Sequence, residues 1–257
     1  MNILYGVQAT GNGHITRSRE IIAALKKAGH FVEVILSGRD PELLWDMGIF
    51  EPYSVFRGVT LAASQGKLQY MKTIRELDLL QLWKDIRSYR ATRAFDVAVT
   101  DFEPMTAHIA RRLRIPSIGI GHQYAFNYNI PVARRDPVAR LILRYFAPTD
   151  HAIGLHWHHF DFTILPPVVP PITCAEDIKT NKIVVYLPFE KRSDVTQLLR
   201  QFTTHDFYYY TDVSETCDSG NICMRPFSRD GFIDDLKDCN GVICNAGFEL
   251  ASEALHI

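Results

Sequence analysis

Asn2-Ile3-Leu4-Tyr5-Gly6-Val7-Gln8-Ala9-Thr10-Gly11-Asn12-Gly13-His14-Ile15-Thr16 opens the chain, and its reading decides the fold. Residues 2–7 form an apolar run that predicts a strand, and residues 15–28 put Ile21, Ile22 and Leu25 on one helical face. The small residues between them let backbone N–H groups at a helix N-terminus approach an anion closely. A second such junction, Cys244-Asn245-Ala246-Gly247-Phe248-Glu249, is read at the matching place in the second half. Two junctions predict two phosphate-bearing ligands, or one held between two lobes.

Strand and helix patterns alternate outward from this opening. Gly29 stops the first helix, and strands are predicted over 31–36, near 53–59, over 95–100 and over 115–120. Leu77, Leu80, Trp83 and Ile86 have helical spacing, and residues 107–113 predict another helix. Repeated strand–helix units imply a parallel sheet covered on both faces. Leu165-Pro166-Pro167-Val168-Val169-Pro170-Pro171 tolerates neither helix nor central strand and marks a boundary. The domains expected are therefore 1–165, a linker 166–180, and 181–257. In the last, a second alternation of strand and helix patterns runs over 182–187, 195–202, 207–211, 222–226, 231–236, 242–245 and 247–255, with 242–245 read as the strand before the helix at 247–255. A doubly wound domain would continue with another strand, so the second lobe is expected to be incomplete at its C-terminus.

The 257 residues are 47% hydrophobic and carry a net charge of −1, a globular composition. Residues 1–165 hold 20 Lys and Arg against 15 Asp and Glu, and residues 166–257 hold 8 against 14. That mild basicity suits an anionic partner and is too weak to predict nucleic acid. Cys174, Cys217, Cys223, Cys239 and Cys244 are odd in number without metal-ligand spacing, which predicts reduced thiols. No secretory signal and no membrane-spanning run are read, so a cytoplasmic protein is expected.

Gly11-Asn12-Gly13-His14-Ile15-Thr16 is a poor dinucleotide fingerprint, because Thr16 replaces the third glycine and Arg39 stands where a ribose-binding acid would follow. His14 in the first helical turn is more informative. A cation is disfavoured there by the helix dipole, so the imidazole is expected to stay neutral and accept a proton. Asp101 ends the fourth predicted strand, and in the order 3-2-1-4-5 it would emerge beside His14. It would then orient the imidazole; the alternative is that Asp101 caps the next helix, with Glu103 as the other candidate acid. His122 and Gln123 end the fifth strand near the same crevice, as acceptor contacts or as loop residues. At the second junction, Gly247 would let a helix tip approach a ligand. Glu249 and Glu253 lie four apart, as a solvated acidic face or with ribose hydroxyls as partner.

Together these stretches resemble a GT-B glycosyltransferase. The similarity is to the glycosyltransferase family related to the enzyme that adds N-acetylglucosamine to the lipid-linked peptidoglycan precursor. Ser37-Gly38-Arg39, Thr100-Asp101-Phe102-Glu103-Pro104, Gly121-His122-Gln123 and residues 245–253 carry it. The resemblance implies an α/β fold of two Rossmann-type doubly wound lobes. Gly11, Asn12, Gly13, His122 and Gln123 would bind the acceptor, with His14 and Asp101 catalytic. Asn245, Ala246, Gly247, Phe248 and Glu253 would hold the nucleotide sugar, a UDP-sugar as the first expectation. Asn245 and Ala246 depart from the basic or hydroxyl residues of the peptidoglycan enzyme. The family's further strand, Gln-rich motif and return helix are not found in this sequence.

No cofactor or metal is expected, since no Asp-x-Asp triplet occurs and inverting transfer needs only a base and a seat for the leaving diphosphate. A sugar-nucleotide 2-epimerase or hydrolase, or a non-catalytic sugar-nucleotide-binding protein, are the alternatives. His156-Trp157-His158-His159 reads as a metal strip on one strand face, or as a strand leading into the linker. Arg134, Arg135, Arg140 and Arg144 interleave with apolar residues, either as a peripheral contact to the inner membrane face beside a lipid-linked acceptor or as a plain surface helix.

Overall fold

The computed structural model describes residues 1–58, 63–64, 67–68, 79–132 and 136–257. The chain divides into two units. The first runs from Met1 to Val168, apart from a two-stranded pair, Ala63–Ser64 with Lys67–Leu68, that groups with the second, Val169–Ile257.

In the first unit, seven parallel strands take the order β3-β2-β1-β4-β5-β6-β7. They are β1 (Asn2–Gln8), β2 (Phe31–Ser37), β3 (Tyr53–Phe56), β4 (Val97–Asp101), β5 (Ser117–Gly121), β6 (His151–Leu155) and β7 (Ile164–Leu165). The five predicted strands thus stand as 3-2-1-4-5. Helix α1 (Asn12–Lys27) packs Ile22 against Ile3, Tyr5 and Val7, whereas Leu4 on the opposite face meets Met105 and Ile109 of α3 (Pro104–Leu113). Side chains alternate across a strand, so burial on both faces requires the near-continuous apolar runs seen in β1 and β2. Helix α2 (Leu79–Ser88) carries Leu82 and Ile86 to the α3 face, and Leu77 lies outside the described residues. A four-residue α4 (His122–Ala125) and α5 (Pro137–Tyr145) follow β5.

The second unit is a five-stranded sheet in the order β10-β11-β9-β8-β12, among the described residues. Its strands are β8 (Lys179–Tyr186), β9 (Asp206–Tyr210), β10 (Cys217–Ser219), β11 (Ile222–Arg225) and β12 (Cys239–Cys244), with helices α6 (Arg192–Leu199), α7 (Arg229–Lys237) and α8 (Phe248–His256). Only β10 is antiparallel, joined to β11 by a turn with Gly220 at φ +65. The polar sequence of β10 gives no apolar alternation, which is why it was not anticipated.

Both units share the parallel core order 3-2-1-4, and this corrects one expectation. The Gly11 junction follows the first strand of its unit; the Gly247 junction follows the fourth parallel strand of its own. They do not sit at matching places. The topological counterpart of Asn245-Ala246-Gly247 is Asp101-Phe102-Glu103. The His-rich strip is also not a strand face: β6 ends at Leu155. His156, His158 and His159 each accept a backbone N–H from two residues ahead, at 3.4, 2.8 and 2.9 Å, holding a turn.

Candidate active site

Helix α1 begins with Gly11 at the N-cap in extended backbone (φ −130, ψ 152), and no side chain caps it. Its first turn holds no acid, so the positive end of the helix is left to other groups. Asn12, the first helical residue, accepts a hydrogen bond from Arg39 Nη1 at 2.7 Å. His14 follows after Gly13. Register does the rest: Val7 pairs with Asp101, which brings the carboxyl end of β4 beside the start of α1.

There His14 Nδ1 lies 2.9 Å from Asp101 Oδ1. Asp101 is fully buried and receives three further bonds, from Arg17 Nη2 to Oδ1 at 2.6 Å, Arg17 Nε to Oδ2 at 3.0 Å and Ser18 Oγ to Oδ2 at 3.0 Å. Burial by itself raises a carboxyl's pKa. Here Arg17 first, then His14, overcome that and hold Asp101 down at about 2. An ionised carboxylate only accepts, so His14 Nδ1 is the donor and its Nε2 carries the lone pair. Gln123 Nε2 stands 3.3 Å from that Nε2 and donates to it. Gln123 Oε1 is buried with no hydrogen-bond partner among the described residues.

Gly121 makes this crowding possible. At φ +155, a Cβ there would come 3.0 Å from Asp101 Oδ1 and 3.3 Å from Arg17 Nη2. His122 Nδ1 donates to the Leu155 carbonyl at 3.0 Å, and burial pushes this imidazole down to about 4, leaving it neutral near pH 7. The structure therefore brings Gly11, Asn12, Gly13, His14, Asp101, His122 and Gln123 together at the carboxyl ends of β1, β4 and β5.

The alternative that Asp101 caps the next helix does not hold. Glu103 is the N-cap of α3: Met105 N–H donates to its Oε1 at 2.8 Å, Thr106 N–H to its Oε2 at 2.6 Å, and Ser37 Oγ–H to Oε1 at 2.7 Å. Burial pushes its carboxyl upward against those bonds. With both oxygens committed to the helix end, Glu103 is not placed as a partner of His14.

In the second unit, β12 leads through Asn245 and Ala246 to Gly247, the N-cap of α8 in extended backbone (φ −63, ψ 142) with no side-chain cap. The left-handed residue is Ala246, at φ +53. A Cβ on Gly247 would meet nothing within 4 Å, and the same is true at Gly11. Asn245 Nδ2 donates to Glu190 Oε1 at 3.0 Å, tying the end of β12 to the loop after β8. Phe248 starts α8. Glu249 and Glu253 are both buried, at 6% and 8% exposure, which overturns the solvated acidic face.

The family model for glycosyl transferase family 1 matches residues 1–257, the whole chain. The chain belongs to that family. Among curated proteins no sequence match is found. The fold agrees with solved glycosyltransferases. The glycotransferase of kitacinnamycin is similar with a TM-score of 0.63 at 15% identity, over 99% of this chain and 77% of that one. UGT89C1 of Arabidopsis thaliana, complexed with quercetin, gives 0.61 at 12%, over 99% and 76%. The glycosyltransferase SsfS6 of Streptomyces sp. SF2575, complexed with thymidine diphosphate, gives 0.57 at 14%, over 98% and 78%. At these identities the likeness establishes the fold, which is GT-B.

For a family 1 glycosyltransferase, the sequence alone did not point to Arg17, Ser18 or Glu103's capping role. The signal available for Arg17 was its spacing, one turn beyond His14 on the same helical face. Among the described residues, no group of three or more His, Cys, Asp or Glu could hold a metal ion, and no helix is long and apolar enough to cross a membrane.

Proposed function

We propose that this glycosyltransferase moves a sugar from a nucleotide diphosphate sugar, a UDP-sugar first, to an acceptor hydroxyl by metal-independent inverting transfer. The observation that carries the reading is the 2.9 Å contact between His14 Nδ1 and buried Asp101 at the head of an uncapped helix. His14 Nε2 takes the acceptor's hydroxyl proton, and Gln123 must yield that nitrogen as the acceptor arrives. The freed oxygen forms a bond to the anomeric carbon as the bond from that carbon to the diphosphate oxygen breaks. The leaving group keeps the electron pair. Asp101 stabilises the imidazolium through Nδ1. Gly11, Asn12, Gly13, His122 and Gln123 receive the acceptor. Asn245, Ala246, Gly247 and Phe248 present the N–H end of α8 to the diphosphate, and Glu253 takes the ribose hydroxyls.

The acceptor in this reading is a glycan or a lipid-linked precursor of the cell envelope. On α5, exposed Leu141 and Tyr145 beside Arg140 and Arg144 suit contact with an anionic membrane face. Arg134 and Arg135 lie outside the described residues.

The test is release of UDP from a UDP-sugar with and without a panel of free and lipid-linked glycan acceptors. Acceptor-dependent release is expected, and His14→Ala is expected to lower turnover by roughly 10²–10⁴ with UDP binding unchanged. Full turnover in that variant removes His14 from the chemistry. Release at the same rate without acceptor points to a hydrolase or epimerase instead.

A further inference from the structure

Arg17 is almost fully enclosed, at 2% exposure, and buried Asp101 answers its charge. The guanidinium fork takes both oxygens of Asp101, at 2.6 and 3.0 Å, a bidentate geometry that fixes the carboxylate plane. The same Nη2 stands 3.2 Å from His14 Nδ1. With His14 Nδ1 donating to Asp101, these two nitrogens are both donors, so their approach is no hydrogen bond. A permanent positive charge abuts the imidazole. Asp101, meanwhile, already shares its single negative charge with Arg17.

We propose that Arg17 is a positioning residue that locks Asp101 toward His14 and keeps the imidazole uncharged between turnovers. An isolated carboxylate at 2.9 Å favours the imidazolium and would load the ring with a proton before the acceptor arrives. With Arg17 in place the Arg–Asp pair is neutral overall. The carboxylate keeps its orienting bond to Nδ1 and stabilises the charged ring less than an unpaired carboxylate would, enough for the transfer but not for a resting imidazolium. The other groups placed beside His14 among the described residues do not undo this. Ser18 on the same helix is neutral, Gln123 on α4 is an amide, and His122 beside it is held neutral by burial. Tyr5 of β1 is buried nearby with its phenol pushed far upward by burial, and so also carries no charge. After proton transfer the imidazolium sits against Arg17, which favours its prompt release of the proton to solvent and resets the base.

This inference rests on His14 as the base, and its test separates the two. The His14 imidazole is titrated by NMR, its signal assigned by comparison with His14→Ala, so the midpoint is read without any transfer assay. In Arg17→Gln the midpoint is expected to rise by about one pH unit or more, because Asp101 is then uncompensated. The acid limb of kcat/KM is expected to move up by the same amount. An unmoved midpoint in folded Arg17→Gln overturns the proposal. Should that variant fail to fold, Arg17→Lys decides, since it keeps the charge but cannot grip both oxygens. About a tenfold loss of kcat with unchanged KM for the UDP-sugar is expected there, and an undiminished kcat overturns the proposal. A shifted midpoint together with full turnover in His14→Ala would instead uphold Arg17's effect on the ring and remove the base.

Discussion

In the first unit the turn out of β4 runs Asp101-Phe102-Glu103, with Phe102 left-handed at φ +53; in the second the turn out of β12 runs Asn245-Ala246-Gly247, with Ala246 at φ +53. Each left-handed residue immediately precedes the N-cap of the next helix, so the two units build this turn in the same way. They finish it differently. Glu103 folds its carboxylate onto the N–H groups of α3 and fills the helix end from within. Gly247 leaves the end of α8 without a side-chain cap, with open space where a Cβ would stand. One end is closed by the protein's own anion, and the other is left for an external one under the proposed reading. A glycine at a junction thus need not serve conformation: the unusual dihedral belongs to Ala246, and Gly247 contributes the absence of a side chain.

Breaking the closed end should have the largest effect. Glu103→Ala strands two N–H groups and the Ser37 hydroxyl, and a loss of about 3 kcal/mol is expected from urea unfolding. A loss under 1 kcal/mol would mean that α3 does not need its cap.

Asp101, on the same turn, gives the next effect, through pH. Its carboxyl is held below its ordinary value of 3.8, at about 2, so the stability it contributes is present above pH ~4 and is lost as pH falls through about 2. The loss is roughly 2–3 kcal/mol, and Asp101→Asn should flatten that stretch of the acid-unfolding curve. The second junction has no counterpart among its described residues. An equally steep curve in Asp101→Asn would place the acid sensitivity elsewhere.

Closing the open end makes the two units alike. Gly247→Asp gives α8 a capping carboxylate, expected to add a few tenths of a kcal/mol of stability. It should weaken UDP binding at least tenfold, about 1.4 kcal/mol, measured calorimetrically. Undiminished affinity would show that the tip of α8 is not the diphosphate seat.

The smallest change concerns strain. Ala246→Gly relieves a left-handed alanine and is expected to stabilise by up to about 1 kcal/mol. Phe102, the left-handed residue of the first turn, offers no such relief, because it packs against Tyr124 and Phe146 at centroid distances of 5.8 and 5.1 Å. Destabilisation by Ala246→Gly would mean that its methyl group has a packing role at the turn.

Much of the fold was legible in the sequence because its signals are local. The runs at Asn2–Gln8 and Phe31–Ser37 declare buried parallel strands by apolar continuity, and Gly29 ends α1 at φ +82, where the sequence punctuation put it. The elements that escaped notice lack local signals. Cys217–Ser219 is a strand only because β11 pairs with it, and the His-rich strip is a turn only because its rings take backbone N–H groups ahead of them. Spacing could not choose between a solvated face and a partnered one for Glu249 and Glu253, because burial of a carboxylate leaves no trace in spacing.

By itself, the sequence determined the alternation of strands and helices, the glycine-rich entry to α1 and the presence of His14 in its first turn. Periodicity and small residues act over a few positions and are readable there. Strand order made Asp101 the leading candidate beside His14, and tertiary structure decided between it and Glu103, which closes α3 two residues on. Tertiary structure also enclosed Arg17 with them. Those assignments depend on the Val7–Asp101 register between strands about ninety residues apart, and no local pattern encodes a contact at that range.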